Sequence, residues 1–323
     1  LLKRLSDPYW FQAFACVLGF DWHASGTTTV TMGALKEALD PEEHGVAVLG
    51  GKGGTSRKTP QEIEQLEEVY NLRSADVERF KRSSRLSAAV DSACVQDSYT
   101  LYHHTFVLTE DGDWTVVQQG MGDSSARRYH WVSDGVESFV EEPQTAIASM
   151  ARQAAVLDLT AEESGEARQV SVDLVNDDPQ HLKRYAKEPG QLSLDRFAGA
   201  EVPELTMPRH HRLRKEDLTE RSIEQLEAAY ERQPEGFEEL VSIEGIGRKS
   251  LRALALIAEV VHDAEAARED PAKYSYAHGG KDGTPYPVDE ERYDESIRHL
   301  EQAVEQADVE GGEKRKALER LGT

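Results

Sequence analysis

The change of hydrophobic period after Cys94 constrains this chain more than any other feature. Apolar residues recur at helical spacing over residues 76–94, and then 99–108 and 114–119 turn rich in β-branched and aromatic side chains, the composition of strands. Glu110-Asp111-Gly112-Asp113 joins these two runs, and Asp-Gly between strands signals a hairpin because glycine accepts the positive φ that tight turns need. With Asp111-Gly112 as the turn, His104 is expected opposite Gln119 and Thr105 opposite Gln118. Side chains alternate across a strand, so without a bulge His103 falls on a face with Thr105 and Gln118, and His104 on the other with Phe106 and Gln119. The expected fold class is α+β: a mixed N-terminal α/β part with a β-hairpin-containing sheet, followed by a mainly helical C-terminal domain. The segments are 1–75 with a Gly-rich basic loop, 76–157 with the sheet and the chemistry, 158–217 as linker and connecting helices, and 218–323 as the helical domain.

Residues 46–49 read as a short strand that runs into Gly50-Gly51-Lys52-Gly53-Gly54-Thr55-Ser56-Arg57-Lys58-Thr59, after which Pro60 opens a Glu-rich helix. The stretch lacks the Gly-Lys-Ser/Thr ending of a nucleoside-triphosphatase loop. It fits equally a nest of backbone amides that holds a phosphate with Lys52, Arg57 and Lys58, or a plain surface loop.

Near the other end, Phe237-Glu238-Glu239-Leu240-Val241-Ser242-Ile243-Glu244-Gly245-Ile246-Gly247-Arg248-Lys249-Ser250 reads as a short helix, a tight turn and a second helix that starts at once. This spacing resembles the helix-hairpin-helix domains of DNA repair and recombination proteins, in which the hairpin grips the sugar-phosphate chain without reading bases. Gly245 and Gly247 suit a turn with positive φ and close approach to phosphate. The free amides of the second helix then point outward with the positive end of its dipole, and Arg248, Lys249 and Ser250 add side-chain contacts. A hairpin that only packs against another part of the protein is the alternative.

The net charge of -23, from 37 Lys and Arg against 60 Asp and Glu, opposes binding to a polyanion, because such affinity comes from cations that displace counterions. The bases, however, are clustered. Arg79, Lys81, Arg82 and Arg85 form one island and Arg209, Arg212, Arg214 and Lys215 another, with smaller ones at Lys52, Arg57, Lys58 and at Arg248, Lys249, Arg252. Acids dominate elsewhere and Arg outnumbers Lys, a halophilic-like pattern in which strong salt screens the repulsion; a merely acidic solvated surface explains it equally. Cys16 and Cys94 show no metal or redox spacing and read as thiols of a reducing compartment. No apolar run is long enough to span a bilayer and no signal-peptide pattern is present, so the expected location is cytoplasmic, with no membrane partner. The oligomeric state is left open.

Phosphodiester cleavage needs a proton acceptor, neutralisation of the phosphate charge and often carboxylates that hold Mg²⁺ or Mn²⁺. Asp91, Asp97, His103, His104, Gln118, Gln119, Arg128 and His130 supply these residue types, with Asp91 and Asp97 as the metal candidates. His210-His211 reads as a basic linker, and His23, near Asp21 and Ser25, is ambiguous.

Several stretches together resemble one archaeal and bacterial group, domain-of-unknown-function family 763. They are Trp22-His23 with Ser25-Gly26, residues 34–39, Gly50-Gly51-Lys52-Gly53 with Ser56-Arg57-Lys58-Thr59-Pro60, Leu101-Tyr102-His103-His104, and residues 116–121, 126–131 and 277–287. The resemblance implies a multidomain protein ending in a helix-hairpin-helix region and acting on DNA; it transfers no enzyme activity. The expected function is a DNA-binding nuclease that uses a divalent metal to cut single-stranded or branched DNA in repair or recombination. A non-enzymatic DNA-binding adaptor and an enzyme acting on a small phosphorylated substrate are the alternatives.

Overall fold

The computed structural model describes residues 1–20, 26–122, 125–184, 219–274, 280–281, 284–285 and 290–321. Four helices open the chain: α1 (Leu2–Leu5), α2 (Pro8–Val17), α3 (Thr27–Ala38) and α4 (Pro41–His44). Asp7 and Asp40 start α2 and α4 by accepting from backbone N–H groups beside a first-turn proline. Then come β1 (Val46–Lys52), a 3-10 segment (Gly53–Lys58), α5 (Thr59–Val69) and α6 (Ser74–Ala93). The middle of the chain holds β2 (Val95–Gln96), β3 (Thr100–Thr109), β4 (Trp114–Met121), β5 (Ala126–Val132), β6 (Ala146–Ser149), β7 (Leu157–Asp158) and α7 (Gly165–Asn176). The remaining elements are α8 (Glu220–Tyr230), α9 (Phe237–Ser242), α10 (Arg248–His262), β8 (Gly280–Lys281), β9 (Thr284–Pro285), α11 (Glu290–Gln306) and α12 (Gly311–Leu321). The class is α+β, with an antiparallel sheet in the N-terminal part and helices towards the C-terminus.

The main sheet is antiparallel, in the order β1-β3-β4-β5-β6. Helices cover both faces, so β5 and most of β4 are buried along their length rather than alternating between core and water. On one face Leu49, Phe106, Leu108, Trp114, Val116 and Trp131 pack with Ile63 and Leu66 of α5 and Phe80, Leu86 and Val90 of α6; this core continues through Val172 and Val175 of α7 into Leu226, Leu240, Leu251 and Leu254 of α8–α10. On the other face Val48, Val107 and Val117 meet Leu5, Phe11 and Met32, and also Leu300 and Leu321 of α11 and α12. The last helices of the chain therefore close the core opened by the first.

The β3–β4 hairpin forms, but with a register one residue away from that expected of a two-residue turn. Thr109 and Asp113 close the loop (Thr109 N–H to Asp113 O, 2.9 Å), Gly112 N–H donates to Thr109 O, and Gly112 has φ 87°. This is a three-residue connection whose glycine takes the left-handed position. His103 consequently faces Gln119, His104 faces Gln118 and Thr105 faces Val117. The one-residue difference exchanges the glutamines: Gln118 shares the α6 face with His104, and Gln119 the opposite face with His103. A bulge does occur, between Leu101 and His103, but it precedes the histidines and leaves them on opposite faces.

The Gly-rich stretch begins inside β1, which runs on to Lys52 rather than stopping at Leu49. Gly50 has φ 81°, and a Cβ there would lie 2.4 Å from the His104 carbonyl oxygen and 2.5 Å from Thr59 Oγ1. Its N–H donates to Glu62 (2.6 Å) and its carbonyl accepts from Lys36 Nζ (3.0 Å), which is itself paired with Glu62. The glycine thus lets β1, β3 and α5 converge. Gly50→Ala is expected to destabilise the protein by more than the ~1–2 kcal/mol of left-handed strain alone, because the clash involves backbone. Gly54→Ala, with open space around its Cβ, is the control; thermal unfolding of the two variants should separate by several degrees.

Candidate functional site

Helix α6 carries an apolar face interrupted by a buried polar stripe, Ser84, Ser87 and Asp91, at the i, i+3, i+7 spacing that lines up on one side of a helix. This stripe lies over the polar end of β3 and β4, where the corrected register puts His104 beside Gln118. The side chains form a chain of hydrogen bonds. Gln118 Nε2 donates to Asp91 Oδ2 (2.5 Å) and to the Ser87 carbonyl (3.1 Å), so its Oε1 is left to face His104 Nδ1 at 2.8 Å. An amide oxygen only accepts, so His104 Nδ1 carries the proton and Nε2 presents its lone pair. That lone pair meets Ser84 Oγ at 2.8 Å, which makes the serine hydroxyl the donor.

Asp91 anchors the far end. Trp131 Nε1 (2.9 Å) donates to the same oxygen as Gln118, and Gln144 Nε2 (2.8 Å) donates to the other. Burial pushes its carboxyl up to about 8, against the pull of these three donors. His104 moves the other way, down to about 4, again through burial, so at neutral pH its imidazole is uncharged and able to accept a proton.

The network opens into a cleft of about 620 Å³ lined by Ser84, His104 and Gln118 and by Arg57, Arg85 and Arg248, which come from three separate elements. Most basic side chains of the first island are spent on carboxylates: Arg79 on Asp76, Lys81 on Glu64 and Glu78, and Arg82 on Glu238 of α9. Among the described residues, Lys52, Arg57, Lys58 and Arg85 have no such partner, and all four are exposed. Lys52 instead lies over the Tyr102 ring at 5.9 Å. Two cations without carboxylate partners, Arg57 and Arg85, therefore line the cleft beside a neutral histidine.

The other expected residues go elsewhere. Asp97 is tied to Arg127 (3.1 Å), to the Tyr129 hydroxyl (2.5 Å) and to the Tyr99 N–H, with Asp270 on the second arm of Arg127 (2.7 Å). Asp91 and Asp97 are both buried and their oxygens are occupied by separate sets of donors, so they do not make a joint metal pair. Among the described residues no three His, Cys, Asp or Glu side chains gather as a metal site, and the donor set does not fit the expected Mg²⁺ or Mn²⁺.

Arg128 and His130 lie across the sheet, against the N-terminal helices. His130 Nδ1–H donates to the Leu5 carbonyl (2.8 Å), and its Nε2 accepts from Arg128 Nε (2.8 Å), while the guanidinium stacks on Phe11 at 4.3 Å. Burial and the Arg128 charge hold His130 well below the usual histidine range. Gln119 is on that side too, donating to the Tyr102 hydroxyl (2.6 Å). His103 Nδ1 is buried without a partner, and burial pushes His103 down to about 3. Both cysteines are free thiols, and no described helix is long and apolar enough to cross a membrane.

The turn between α9 and α10 is exposed at Gly245, whose φ of 98° does require glycine, whereas Gly247 has an extended backbone and no such need. Ser250 is buried and is unavailable to a ligand. Arg248 is largely used internally: Nε donates to the Ser92 carbonyl (2.9 Å) and a terminal nitrogen to the Tyr99 carbonyl (2.6 Å). Lys249 remains exposed beside it.

A family described as "Protein of unknown function (DUF763)" matches residues 1–288. The chain belongs to this family. No curated protein and no solved structure matches it. Of the stretches that carry the family resemblance, 50–60, 101–104 and 116–121 meet around the cleft, and 126–131 supplies both Trp131 and the Arg128–His130 pair. Asp21, Trp22, His23, Ser25, most of 277–287, the island at Arg209, Arg212, Arg214 and Lys215, and His210-His211 lie outside the described residues.

Sequence reasoning missed Ser84, Trp131, Gln144 and Arg127. The signal for Ser84 was present: a serine-serine-aspartate stripe on the core side of an otherwise apolar helix.

The opposed shifts of His104 and Asp91 predict opposed pH behaviour. A histidine held neutral loses its stabilising contribution as pH falls from about 6.5, where the unfolded residue protonates, towards its folded value of about 4. Relative to wild type, His104→Gln should therefore gain stability progressively below pH 6.5, by about 3 kcal/mol over the window at ~1.4 kcal/mol per unit. Asp91, raised to about 8, contributes fully below about pH 4 and loses that contribution as pH rises towards 8, so Asp91→Asn should gain on wild type in the rising direction. Thermal unfolding across pH 4–8 checks both signs.

Proposed function

We propose that the protein binds the sugar-phosphate backbone of DNA in the cleft between the Gly-rich stretch, α6, β3 and the start of α10, and cleaves a phosphodiester there. The observation that carries this reading is the convergence of Arg57 and Arg85 from two separate elements on one cleft, walled on a third side by Arg248, whose floor is the Ser84–His104 pair. On a chain of net charge -23, cations left without carboxylate partners are an anion-binding feature; electrostatic selection against the rest of the surface orients a polyanion towards them. Lys52, over the Tyr102 ring that lines the cleft, and Lys58 and Lys249, next in sequence to Arg57 and Arg248, add exposed cations for an extended ligand. The turn at Gly245 in this reading is a backbone contact of the helix-hairpin-helix kind, made at the exposed Gly245 and by Lys249. The neutral imidazole of His104 is the proton acceptor.

A second reading is favoured by one observation. Because Arg248 and Ser250 are engaged inside the protein, the turn contributes less than its sequence promised, and the cleft alone has the dimensions of a pocket for a small phosphorylated substrate.

Arg57→Ala and Arg85→Ala, alone and together, test the first reading in a fluorescence-anisotropy titration with single-stranded, duplex and forked oligonucleotides across a range of salt. Each variant should weaken binding and lower the log–log salt slope by about 0.9 on duplex and about 0.7 on single strands. Unchanged affinity in the double variant would remove the cleft from DNA binding. Competition by short phosphate monoesters at concentrations that leave ionic strength unaltered would favour the small substrate.

A further inference from the structure

The chain of groups on the cleft floor assigns more than a proton acceptor. Ser84 Oγ donates to His104 Nε2 at 2.8 Å, His104 Nδ1–H donates to Gln118 Oε1 at 2.8 Å, and Gln118 Nε2 donates to Asp91 at 2.5 Å. The direction follows from the Gln118 amide, whose Nε2 also donates to the Ser87 carbonyl (3.1 Å); turned over, the amide would set its oxygen against that carbonyl oxygen, which only accepts. A serine beside an unprotonated imidazole whose other nitrogen is held by a fixed acceptor is the arrangement that turns a hydroxyl into a nucleophile. Ser84 and His104 both line the cleft, beside Arg57 and Arg85.

We propose that Ser84 is the nucleophile of a two-step phosphodiester cleavage, with His104 as its base and Gln118 as the positioning residue that fixes the imidazole tautomer. This rests on the reading of the cleft as a DNA-backbone site. In the first step Ser84 Oγ bonds to phosphorus as its proton passes to His104 Nε2; the bond from phosphorus to one ester oxygen breaks, and that oxygen takes the proton from His104. One strand leaves with a free hydroxyl, and the other stays joined to Ser84 through its phosphate. In the second step water gives a proton to His104 Nε2 and bonds to phosphorus, the Ser84–phosphate bond breaks, and Ser84 Oγ recovers the proton. Arg57 and Arg85 face the charge on the non-bridging oxygens. No redox partner or co-substrate other than water enters the balance.

The covalent strand is the readout. The full chain is incubated with end-labelled single-stranded and forked oligonucleotides, quenched in denaturant, and resolved for protein-linked label, with the adduct mapped by peptide mass spectrometry. The result expected is a denaturant-stable adduct on the peptide containing Ser84, absent from Ser84→Ala, whose cleavage rate falls at least 100-fold while DNA affinity stays within about twofold. A chiral phosphorothioate at the scissile position supplies a measurement independent of any variant: two displacements give retention at phosphorus, and direct attack by water gives inversion. Inversion, or Ser84→Ala cutting at the wild-type rate, overturns Ser84 as nucleophile while leaving the DNA-cleaving cleft intact. Binding without cleavage by the wild-type chain overturns both the nucleophile and the nuclease half of the reading, and absence of binding overturns the cleft as a DNA site.

Discussion

The three-residue loop between Thr109 and Asp113 is the constraint on which the rest of the site depends. Its length sets the pairing of β3 with β4, and because strand side chains alternate, the pairing decides which glutamine reaches which histidine. With the loop closed through Gly112 at φ 87°, His104 and Gln118 stand together under α6, and the chain from Ser84 to Asp91 can form. A two-residue turn at the same place would put Gln119 beside His104 and leave Asp91 without its closest donor. A backbone choice at an exposed loop thus determines the protonation pattern of a buried imidazole on the opposite end of the hairpin.

That opposite end differs in character from the loop end. Towards the loop, β3, β4 and β5 carry Phe106, Leu108, Trp114, Val116 and Trp131, which form ordinary core with the helices above them. Away from it the same strands carry His103, His104, Gln118, Gln119, Arg127, Arg128 and His130, all buried. Polar groups removed from water are tolerated when hydrogen-bonded, and leaving one unpaired costs ~1–3 kcal/mol. The structure meets this for most of them through three networks, Asp91 with His104 and Gln118, Asp97 with Arg127 and Asp270, and Arg128 with His130, while His103 Nδ1 and Arg127 Nε are left without a partner. Buried pairs such as Arg127–Asp97 contribute little net stability after desolvation; their effect is to fix one arrangement of side chains and exclude others. A sheet with half its length built this way is costly as scaffolding and well suited to holding reactive groups in one geometry.

The class of fold, the hairpin and the separation of the two histidines were legible in the sequence, because each follows from a period or from the alternation of a strand. The register was not, since Asp111-Gly112 is the signature of a two-residue turn and the same glycine also serves a three-residue one. Asp91 and Asp97 were metal candidates by residue type alone; the end of α6 and the short β2 lie between them, and each meets different strand residues, Gln118 and Trp131 for Asp91, Arg127 and Tyr129 for Asp97. Gly247 resembled Gly245 in the motif, yet only Gly245 has a positive φ. Ser84 escaped notice because serine in a helix carries no chemical label of its own. It becomes informative when Ser84, Ser87 and Asp91 are seen as one stripe facing strands that are themselves polar.

The charge of the chain bears on the same point from outside. Within the basic island of α6 most side chains are neutralised locally, Arg79 by Asp76, Lys81 by two glutamates and Arg82 by Glu238 across to α9. Arg57 and Arg85 escape this pairing at the mouth of the one cleft that holds the Ser84–His104 pair. Arg248 approaches from the third side, but with its guanidinium committed to the Ser92 and Tyr99 carbonyls it links α10 to α6 and β3 more than it reaches for a ligand. Its service to the site is then mechanical: it ties the start of α10, beside the exposed turn at Gly245, to the wall of the cleft. On the proposed reading the turn need not supply affinity to matter, because a rigid link between the point that holds a backbone and the point that attacks it is what positions a reacting phosphate.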